Sequence, residues 1–333
     1  MTDSQIPKPR RALHPVIALT GLTAGLGAIL VVLLALFILP SLKSGPHDLP
    51  LGLVGTPTAI STVEADLDRL MPGAWIPRSF ASAEELRTAI AAREVVGGLV
   101  VSDTGLETLV TSAGSTAISG TLTGTAGQLA GSSGLPLTVT DVVPLPAADP
   151  SGIGIGGLTF PLVFGGIVPV VAFRSAFPNS NAWRMGGIVL TAVASGLIVA
   201  AVLQFWFGTI AGTFWPVAGA MALGVAAMAL PLAGLQQVFG AKGFTIGAMM
   251  MMFLGNPLAG IATTGAWLPN GLGLFGQLLP PGATGTLVRS AAYFDFAGSS
   301  EATLTLVAWV VIGLALTAWG IFRPRPALAP AAA

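Results

Sequence analysis

The feature that most constrains this chain is a series of long stretches without a charged residue. No Lys, Arg, Asp or Glu occurs between Arg11 and Lys43, and a helix of about 20 apolar residues crosses a bilayer core about 30 Å thick. Only 8% of all residues are charged, whereas soluble domains carry roughly 25%. So little charge cannot cover a water-facing surface, so the sequence predicts a helical membrane protein.

Six hydrophobic stretches are long enough to form transmembrane helices. The first, residues 16–40, follows a basic start and could be a signal peptide. Its apolar stretch is longer than the usual ~7–15 residues and no clear A-x-A site follows, so we interpret it as an uncleaved anchor. A polar region, residues 41–151, separates it from a five-helix domain over residues 152–323. The five further stretches lie at 156–173, 185–207, 212–235, 243–267 and 302–322.

The positions of the basic residues predict the orientation. If residues 1–15 and 324–333 are cytoplasmic tails, every cytoplasmic connection is basic, as the positive-inside rule requires. The cytoplasmic side then holds eight basic residues and one acid, Asp3, while residues 41–151 hold five basic and eleven acidic residues. The eight are Lys8, Arg10, Arg11, Arg174, Arg184, Lys242, Arg323 and Arg325. The sequence therefore predicts a multi-pass plasma-membrane protein with both termini cytoplasmic.

The polar region 41–151 is predicted to be a small extracytoplasmic α/β domain, inserted between helices 1 and 2. Hydrophobic runs at 51–55, 95–101, 106–113 and 137–143 are typical of strands. Helical spacing of apolar residues covers 58–70, a capping box at 82–85 opens a second helix, and 116–131 is a weaker helical pattern. Strands alternating with helices favour a compact α/β layer.

The sequence offers little that could support enzymatic chemistry. It has no cysteine and two histidines, and no cluster of nucleophile, base and metal ligands falls at one membrane depth. Residues 152–157 match G-x-G-x-x-G, but a linker precedes them and a predicted transmembrane span follows, so a flexible, closely packed hinge is the better interpretation than a dinucleotide site. We therefore predict no catalytic residue, no cofactor and no metal. A net charge of zero also argues against a nucleic-acid partner.

Asn256 and Pro257 are predicted to lie in the middle of the fifth helix. Proline inside a helix removes one backbone hydrogen bond and clashes with the preceding turn, and the freed carbonyl groups must find partners in protein or water rather than lipid. These two residues are therefore candidates for a moving kink or a transport surface. A static kink packed on a neighbouring helix is the alternative.

The last outer loop, residues 268–301, is too apolar for an ordinary exposed connector. Its prolines and glycines divide it into short pieces. We expect it to lie in the outer interface or to re-enter the membrane. Arg289 is then expected at the level of the lipid headgroups, as a candidate interface residue.

Four segments resemble parts of the permease-like proteins of the ABC type-2 exporter superfamily, close to the phage-infection-protein group. They are LPLGLVGTPTA (50–60), FASAEELRTAIAAREVVGGLVV (80–101), DVVPLPAADPSG (141–152) and LPPGATGTLVRSAAYFD (279–295). The arrangement of one span, a large outer domain and five further spans is also similar, so the likeness covers nearly the whole chain. These motifs are structural rather than catalytic.

The resemblance implies a bacterial permease-like subunit that exports a hydrophobic or amphipathic substrate. A separate ATPase would supply the energy, since the chain has no G-x-x-x-x-G-K-[ST] motif. Arg174 and Arg184 flank the segment that is the candidate docking site for that ATPase. Six spans are one half of the usual transporter, so a homodimer or heterodimer is expected in membrane lipid. The alternative is a non-transporting membrane scaffold or receptor whose outer domain binds a cell-envelope or phage partner.

Overall fold

The structure, a computed structural model, describes residues 15–269 and 271–322. Both predicted tails beyond residues 15 and 322 lie outside this range. The described chain is mostly helical, with one five-stranded sheet. Five of its helical segments are long and apolar enough to cross a membrane, namely Pro15–Pro40, Ile153–Ala176, Asn181–Trp206, Phe214–Gly255 and Ser300–Phe322.

The sheet and three helices form an α/β domain that follows the first long helix, α1 (Pro15–Leu42). The strands are β1 (Leu49–Val54), β2 (Trp75–Ser79), β3 (Gly98–Ser102), β4 (Gly105–Val110) and β5 (Leu137–Asp141). The helices are α2 (Pro57–Leu70), α3 (Ala83–Ala91) and α4 (Thr116–Ser133). The sheet order is β2-β1-β3-β4-β5, and only the β3–β4 pair is antiparallel.

Two small cores hold this domain together. The helices α2 and α4 bury Val63, Leu67 and Leu122 in one cluster with strand residues, while α3 buries Leu86 and Ile90 in another. Half of the predicted capping box is present, because Ser82 Oγ accepts a hydrogen bond from the Glu85 amide at 3.2 Å, while Glu85 Oε2 accepts from the Ala81 amide at 2.9 Å in place of the Ser82 amide. Strand β2 was not predicted, because it carries a proline and two exposed polar residues, Arg78 and Ser79, instead of an apolar run.

The remaining helices form a bundle that we call the helical domain. They are α5 (Ile153–Gly156), α6 (Thr159–Ala176), α7 (Asn181–Ala201), α8 (Phe214–Met250), α9 (Leu272–Gln277), α10 (Pro280–Tyr293) and α11 (Ser300–Phe322). A π-helical turn extends α7 over Val202–Trp206, and another extends α8 over Met251–Gly255. Helix α8 is central, since it packs against α6, α7, α10 and α11.

Helix α8 is broken at Gly240, whose backbone has φ 65° and ψ −149°. A Cβ placed on Gly247 would lie 2.7 Å from Leu235 Cδ1 and 2.8 Å from Leu232 Cδ2. In one continuous helix, residues 232 and 247 would be about 22 Å apart. The chain therefore turns back on itself at Gly240, in the place where the sequence separates the stretches 212–235 and 243–267.

Two boundaries differ from the sequence-based expectation. The helix that follows Gly240 ends at Gly255 instead of continuing to 267, because Pro257 cannot donate a backbone hydrogen bond to extend it. The segment 268–301, expected as short pieces, contains α10, a 14-residue helix with twelve buried residues. It packs against α8 and α11.

Candidate functional site

The α/β domain meets the helical domain along α10, and Arg289 lies at the centre of this junction. Its Nη1 donates hydrogen bonds to the carbonyl oxygens of Gly114 at 2.8 Å and Ala113 at 3.3 Å. Its Nη2 donates to the carbonyl oxygen of Ile261. The side chain is 9% exposed. Arg289 therefore joins three chain segments through the fixed fork of its guanidinium group.

Arg289 is buried within protein, and its depth relative to the lipid headgroups stays a prediction. The sequence predicts a residue at headgroup level in an outer loop, whereas the structure buries it within protein, against backbone carbonyls. The reason is that α10 is a buried helix whose small residues let it fit between its neighbours. A buried arginine needs acceptors for its N–H donors. The carbonyl groups of Ala113, Gly114 and Ile261 supply three of them.

Arg93 crosses the same junction in the opposite direction. It belongs to the α/β domain, and its Nη1 donates a hydrogen bond to Ser290 Oγ of α10. Its guanidinium carbon lies 5.1 Å from the centre of the Phe294 ring, within cation–π range. Burial lowers the pKa of the Arg93 guanidinium below its ordinary value. Two arginines thus bind the α/β domain and α10 to each other.

The backbone of Arg93 is strained, with φ 61°. It occupies the residue just after the C-cap of α3, where its amide bonds the Ile90 carbonyl and the Glu94 amide bonds the Ala89 carbonyl. This is the Schellman arrangement, in which glycine is usual. A side chain there costs roughly 1–2 kcal/mol, so its presence points to a role for the guanidinium group. Sequence reasoning missed Arg93, because the chain after α3 has no helix-ending glycine to reveal the motif.

Neither guanidinium group has a carboxylate partner in the part of the chain that the structure describes. The ion pairs found within 4.0 Å among the described residues join Arg69 to Asp66 and Arg87 to Glu107. A cavity of about 460 Å³ beside Arg93 also touches Gln277, Thr286 and Glu301. The junction therefore has a partly polar cavity beside Arg93, whereas the guanidinium group of Arg289 is packed against backbone carbonyls.

A second polar centre lies in the linker between the two domains. Asp149 is 8% exposed. Its Oδ1 accepts a hydrogen bond from the Ile153 amide at 2.8 Å, and its Oδ2 accepts from the Gly154 amide at 2.8 Å and from Thr209 Oγ1 at 3.1 Å. Tyr293 of α10 donates from its hydroxyl to the Thr209 carbonyl at 2.9 Å. Asp149 thus fixes the linker to the segment that joins α7 and α8.

Asp149 also lines a large groove between the α5–α6 segment and the end of α7. The groove has a volume of about 740 Å³. Its walls are mostly apolar and include Leu158, Pro161, Ile198, Leu203, Trp206 and Phe207. The π-helical turn Val202–Trp206 supplies three of the lining residues, and such turns are frequent at functional sites. The volume falls within the about 300–1,000 Å³ of small-molecule sites.

The glycine-rich stretch 152–157 forms a packed connection beside this groove. Gly152 has φ 66° and opens α5. A Cβ placed on Gly154 would overlap the Thr209 side chain, and one placed on Gly156 would lie 3.3 Å from the Ala262 Cα. Close backbone packing, which the sequence suggested, is therefore what these glycines permit. Residues 142–151 separate the stretch from strand β5, whereas a dinucleotide site needs the glycines directly after a strand.

Asn256 and Pro257 do not form a kink in the middle of a helix. They follow the π-helical turn Met251–Gly255 and begin a turn in which the amides of Leu258 and Ala259 bond the carbonyls of Leu254 and Asn256. Both residues are half-buried. A proline that follows a helix end breaks no internal hydrogen bond, so the expected kink is wrong in position. Their role in transport stays a prediction.

Arg174 and Arg184 lie at the other end of the helical domain, in a shorter connection than expected. Helix α6 ends at Ala176 and α7 begins at Asn181. Arg174 is exposed. Arg184 donates from Nε to the Phe177 carbonyl at 2.7 Å and from Nη1 to Asn181 Oδ1 at 3.2 Å. Arg184 therefore stabilises the turn between α6 and α7, whereas the side chain of Arg174 is exposed at the end of α6.

The sequence was also compared with known proteins. No family model, no curated protein and no solved structure matches the chain. In the described residues, no group of three or more His, Cys, Asp and Glu side chains could hold a metal ion. The geometry of the groove and of the junction along α10 is therefore the basis for assigning a function.

Proposed function

We propose that this chain is a six-pass plasma-membrane protein that acts as the permease-like subunit of an ABC-type exporter. Its substrate is hydrophobic or amphipathic, and a separate ATPase supplies the energy. The observation that carries the proposal is the apolar groove of about 740 Å³ between α6 and α7, in a protein whose long helices suit a membrane. A groove of that size and lining suits an amphiphile taken from the bilayer.

The six-pass arrangement follows from counting the two halves of the Phe214–Gly255 segment separately. The helices on each side of Gly240 lie against each other. This reversal supports one crossing for each of them, with Lys242 at the turn between them. Both termini, Arg174 and Lys242 are then on one side. That side is the cytoplasm by the positive-inside rule, and the α/β domain is extracytoplasmic.

Single-cysteine labelling tests this topology, because the chain contains no cysteine. Thr104→Cys lies in the exposed turn between β3 and β4, and Lys242→Cys lies in the exposed turn after Gly240. A membrane-impermeant maleimide added to intact cells labels only the first. The second reacts only after the membrane is permeabilised. Labelling of both in intact cells would rule out the orientation.

The exporter hypothesis also requires an ATPase on the cytoplasmic side. The α6–α7 turn offers Arg174 as an exposed cation, while Arg184 holds the turn in shape. Purification of the protein at native level in mild detergent should recover a nucleotide-binding subunit, identified by mass spectrometry. Arg174→Glu should remove that subunit, whereas Arg69→Glu, on the α/β domain, should not.

Homodimerisation or pairing with a related subunit fits the exposure of α1. None of its most apolar 18-residue window is buried within the chain, so this helix is free to contact lipid or a second transmembrane subunit. Cross-linking in native membranes, read as the mass of the complex, would reveal such a pair. A complex that contains one copy and no second permease would contradict this part of the proposal.

The second candidate function is a non-transporting scaffold or receptor. One feature of the α/β domain favours it: a cavity of about 340 Å³ lined by Glu64, Asp68 and Trp75. The indole nitrogen of Trp75 is buried and has no hydrogen-bond partner within the described residues. If purification recovers envelope proteins without an ATPase, and Glu64→Gln with Asp68→Asn abolishes that recovery, this function replaces the first.

A further inference from the structure

Asp149 lines the groove, and no cation among the described residues balances its carboxylate. It lies in a mostly apolar wall, and in the segments 15–269 and 271–322 no lysine, arginine or histidine nitrogen lies within 4.0 Å of it. Three donors bond its two oxygens, whereas an ionised carboxylate has about four acceptor sites. A buried carboxylate without a cationic partner is costly to keep, and perturbed or unpaired charges in a cleft are candidates for a binding site.

Two aromatic side chains also line the groove. Trp206 and Phe207 both line it, their ring centres lie 5.8 Å apart, and Trp206 is 80% exposed within the chain. The faces of aromatic rings attract organic cations, tryptophan most strongly. A carboxylate and two aromatic rings around an apolar space match the charge and shape of a bulky organic cation.

We infer that the groove binds an amphipathic monovalent organic cation, with its charge between Asp149 and the Trp206–Phe207 pair. This inference rests on the proposed export function and names the class of its substrate. The apolar body of the ligand lies against Leu158, Ile198 and Leu203. Binding displaces water from these apolar side chains, which favours the complex. The cation replaces the counter-ion that the protein lacks at Asp149, so an anion of the same shape is disfavoured.

The test uses two ions of matched size. Tetraphenylphosphonium and tetraphenylborate have the same shape and opposite charge, and binding of each to the purified full chain in nanodiscs is measured by equilibrium dialysis. We expect saturable binding of the cation and at least about tenfold weaker binding of the anion, as a buried charge pair implies. Equal binding of both ions would overturn the inference.

Variants separate the charge from the cavity. Asp149→Asn keeps the size of the side chain and should weaken cation binding by about tenfold. Asp103→Asn, in the exposed turn between β3 and β4, is the control without effect. Because Asp149 also holds the linker, Trp206→Leu provides an independent test at an exposed position, with an expected loss of about threefold to tenfold. Unchanged affinity in both Asp149→Asn and Trp206→Leu would sink the proposal.

The remaining outcomes separate this inference from the exporter proposal. Native mass spectrometry that shows a tightly held zwitterionic phospholipid, lost in Asp149→Asn and not displaced by the cation, would assign the groove to lipid and overturn the cationic substrate. Cation binding without any recovered ATPase would keep the inference and remove the exporter. Recovery of an ATPase, together with equal binding of the cation and the anion, would keep the exporter proposal and overturn the cation inference.

Discussion

Nη1 of Arg289 donates a hydrogen bond to the carbonyl oxygen of Gly114 at 2.8 Å, between two residues that are 175 positions apart in the chain. Arg93 of the α/β domain donates back to Ser290, the residue next to Arg289. The two bonds run in opposite directions across one interface. If α10 moves, it must either break both hydrogen bonds or move the α/β domain with it. Movement in the helical domain is therefore coupled to the α/β domain through this pair.

Replacing Arg289 by alanine should lower the free energy of unfolding by about 3 kcal/mol, because the buried carbonyls of Ala113, Gly114 and Ile261 lose their donors. Chemical denaturation of the full chain in mild-detergent micelles measures this loss. Arg69→Ala is the matched control. It removes an arginine that is 71% exposed and pairs with Asp66 on the same helix, so it should cost under about 1 kcal/mol.

Hydrogen exchange distinguishes the loss of this contact from a general loss of stability. In Arg289→Ala, the amides around residues 111–118 should exchange faster, because the turn before α4 loses its anchor. The amides of β2 should keep their protection, since β1 and β3 separate that strand from β4, which leads into this turn. Equal acceleration in both regions, or equal losses for Arg289→Ala and Arg69→Ala, would contradict the proposed junction.

Arg93 allows the backbone strain to be separated from the side-chain contacts. Arg93→Ala and Arg93→Gly both remove the hydrogen bond to Ser290 and the contact with Phe294. The glycine variant should be more stable than the alanine variant by about 1 kcal/mol, because glycine adopts φ 61° without steric cost. The same denaturation experiment gives the difference. An alanine variant as stable as the glycine variant would show that the residue relaxes out of this conformation.

The sequence identified most of the α/β domain and the apolar segments, because these follow local patterns. The capping box at Ser82 and the turn between β3 and β4 involve residues close in the chain. The junction was missed because its partners are far apart: nothing near Arg289 in sequence indicates the carbonyls of Ala113 and Gly114. Pro257 was misplaced for a related reason, since an apolar run continues beyond the helix end and hydropathy alone cannot locate that end.

The groove depends on close packing between the linker and the segment before α8. Gly154→Ala would place a methyl group against the Thr209 side chain, which should destabilise the protein by about 1–3 kcal/mol. Thr209→Ala should recover part of this loss in the double variant, so the two effects should not add. The control is Gly120→Ala, at an exposed site in α4 with nothing within 4 Å.

That control has an opposite expected sign. Alanine is a better helix former than glycine, so Gly120→Ala should stabilise the α/β domain by about 0.5–1 kcal/mol. Thermal unfolding of all four variants in the same detergent gives the comparison. If Gly154→Ala proved as harmless as Gly120→Ala, the linker would be free to move from Thr209, and the groove would not have the fixed wall described above.

The reversal of the chain at Gly240 can be tested by disulfide formation, because the protein contains no cysteine of its own. Leu235→Cys and Gly247→Cys place two thiols where the packed side chain of Leu235 and the position of Gly247 meet. In a continuous helix these residues would be about 18 Å apart, too far for a disulfide, which needs Cα atoms within about 7 Å. Mild oxidation should therefore link them in the native protein.

The matched control is the pair Leu223→Cys and Leu235→Cys. It has the same spacing of twelve residues but lies entirely before the break, within one continuous helix. Peptide mass spectrometry after oxidation should find the disulfide in the first pair and free thiols in the second. Free thiols in both would mean that Phe214–Gly255 is one long helix. The number of membrane crossings would then be odd, and the two ends of the chain would lie on opposite sides of the bilayer.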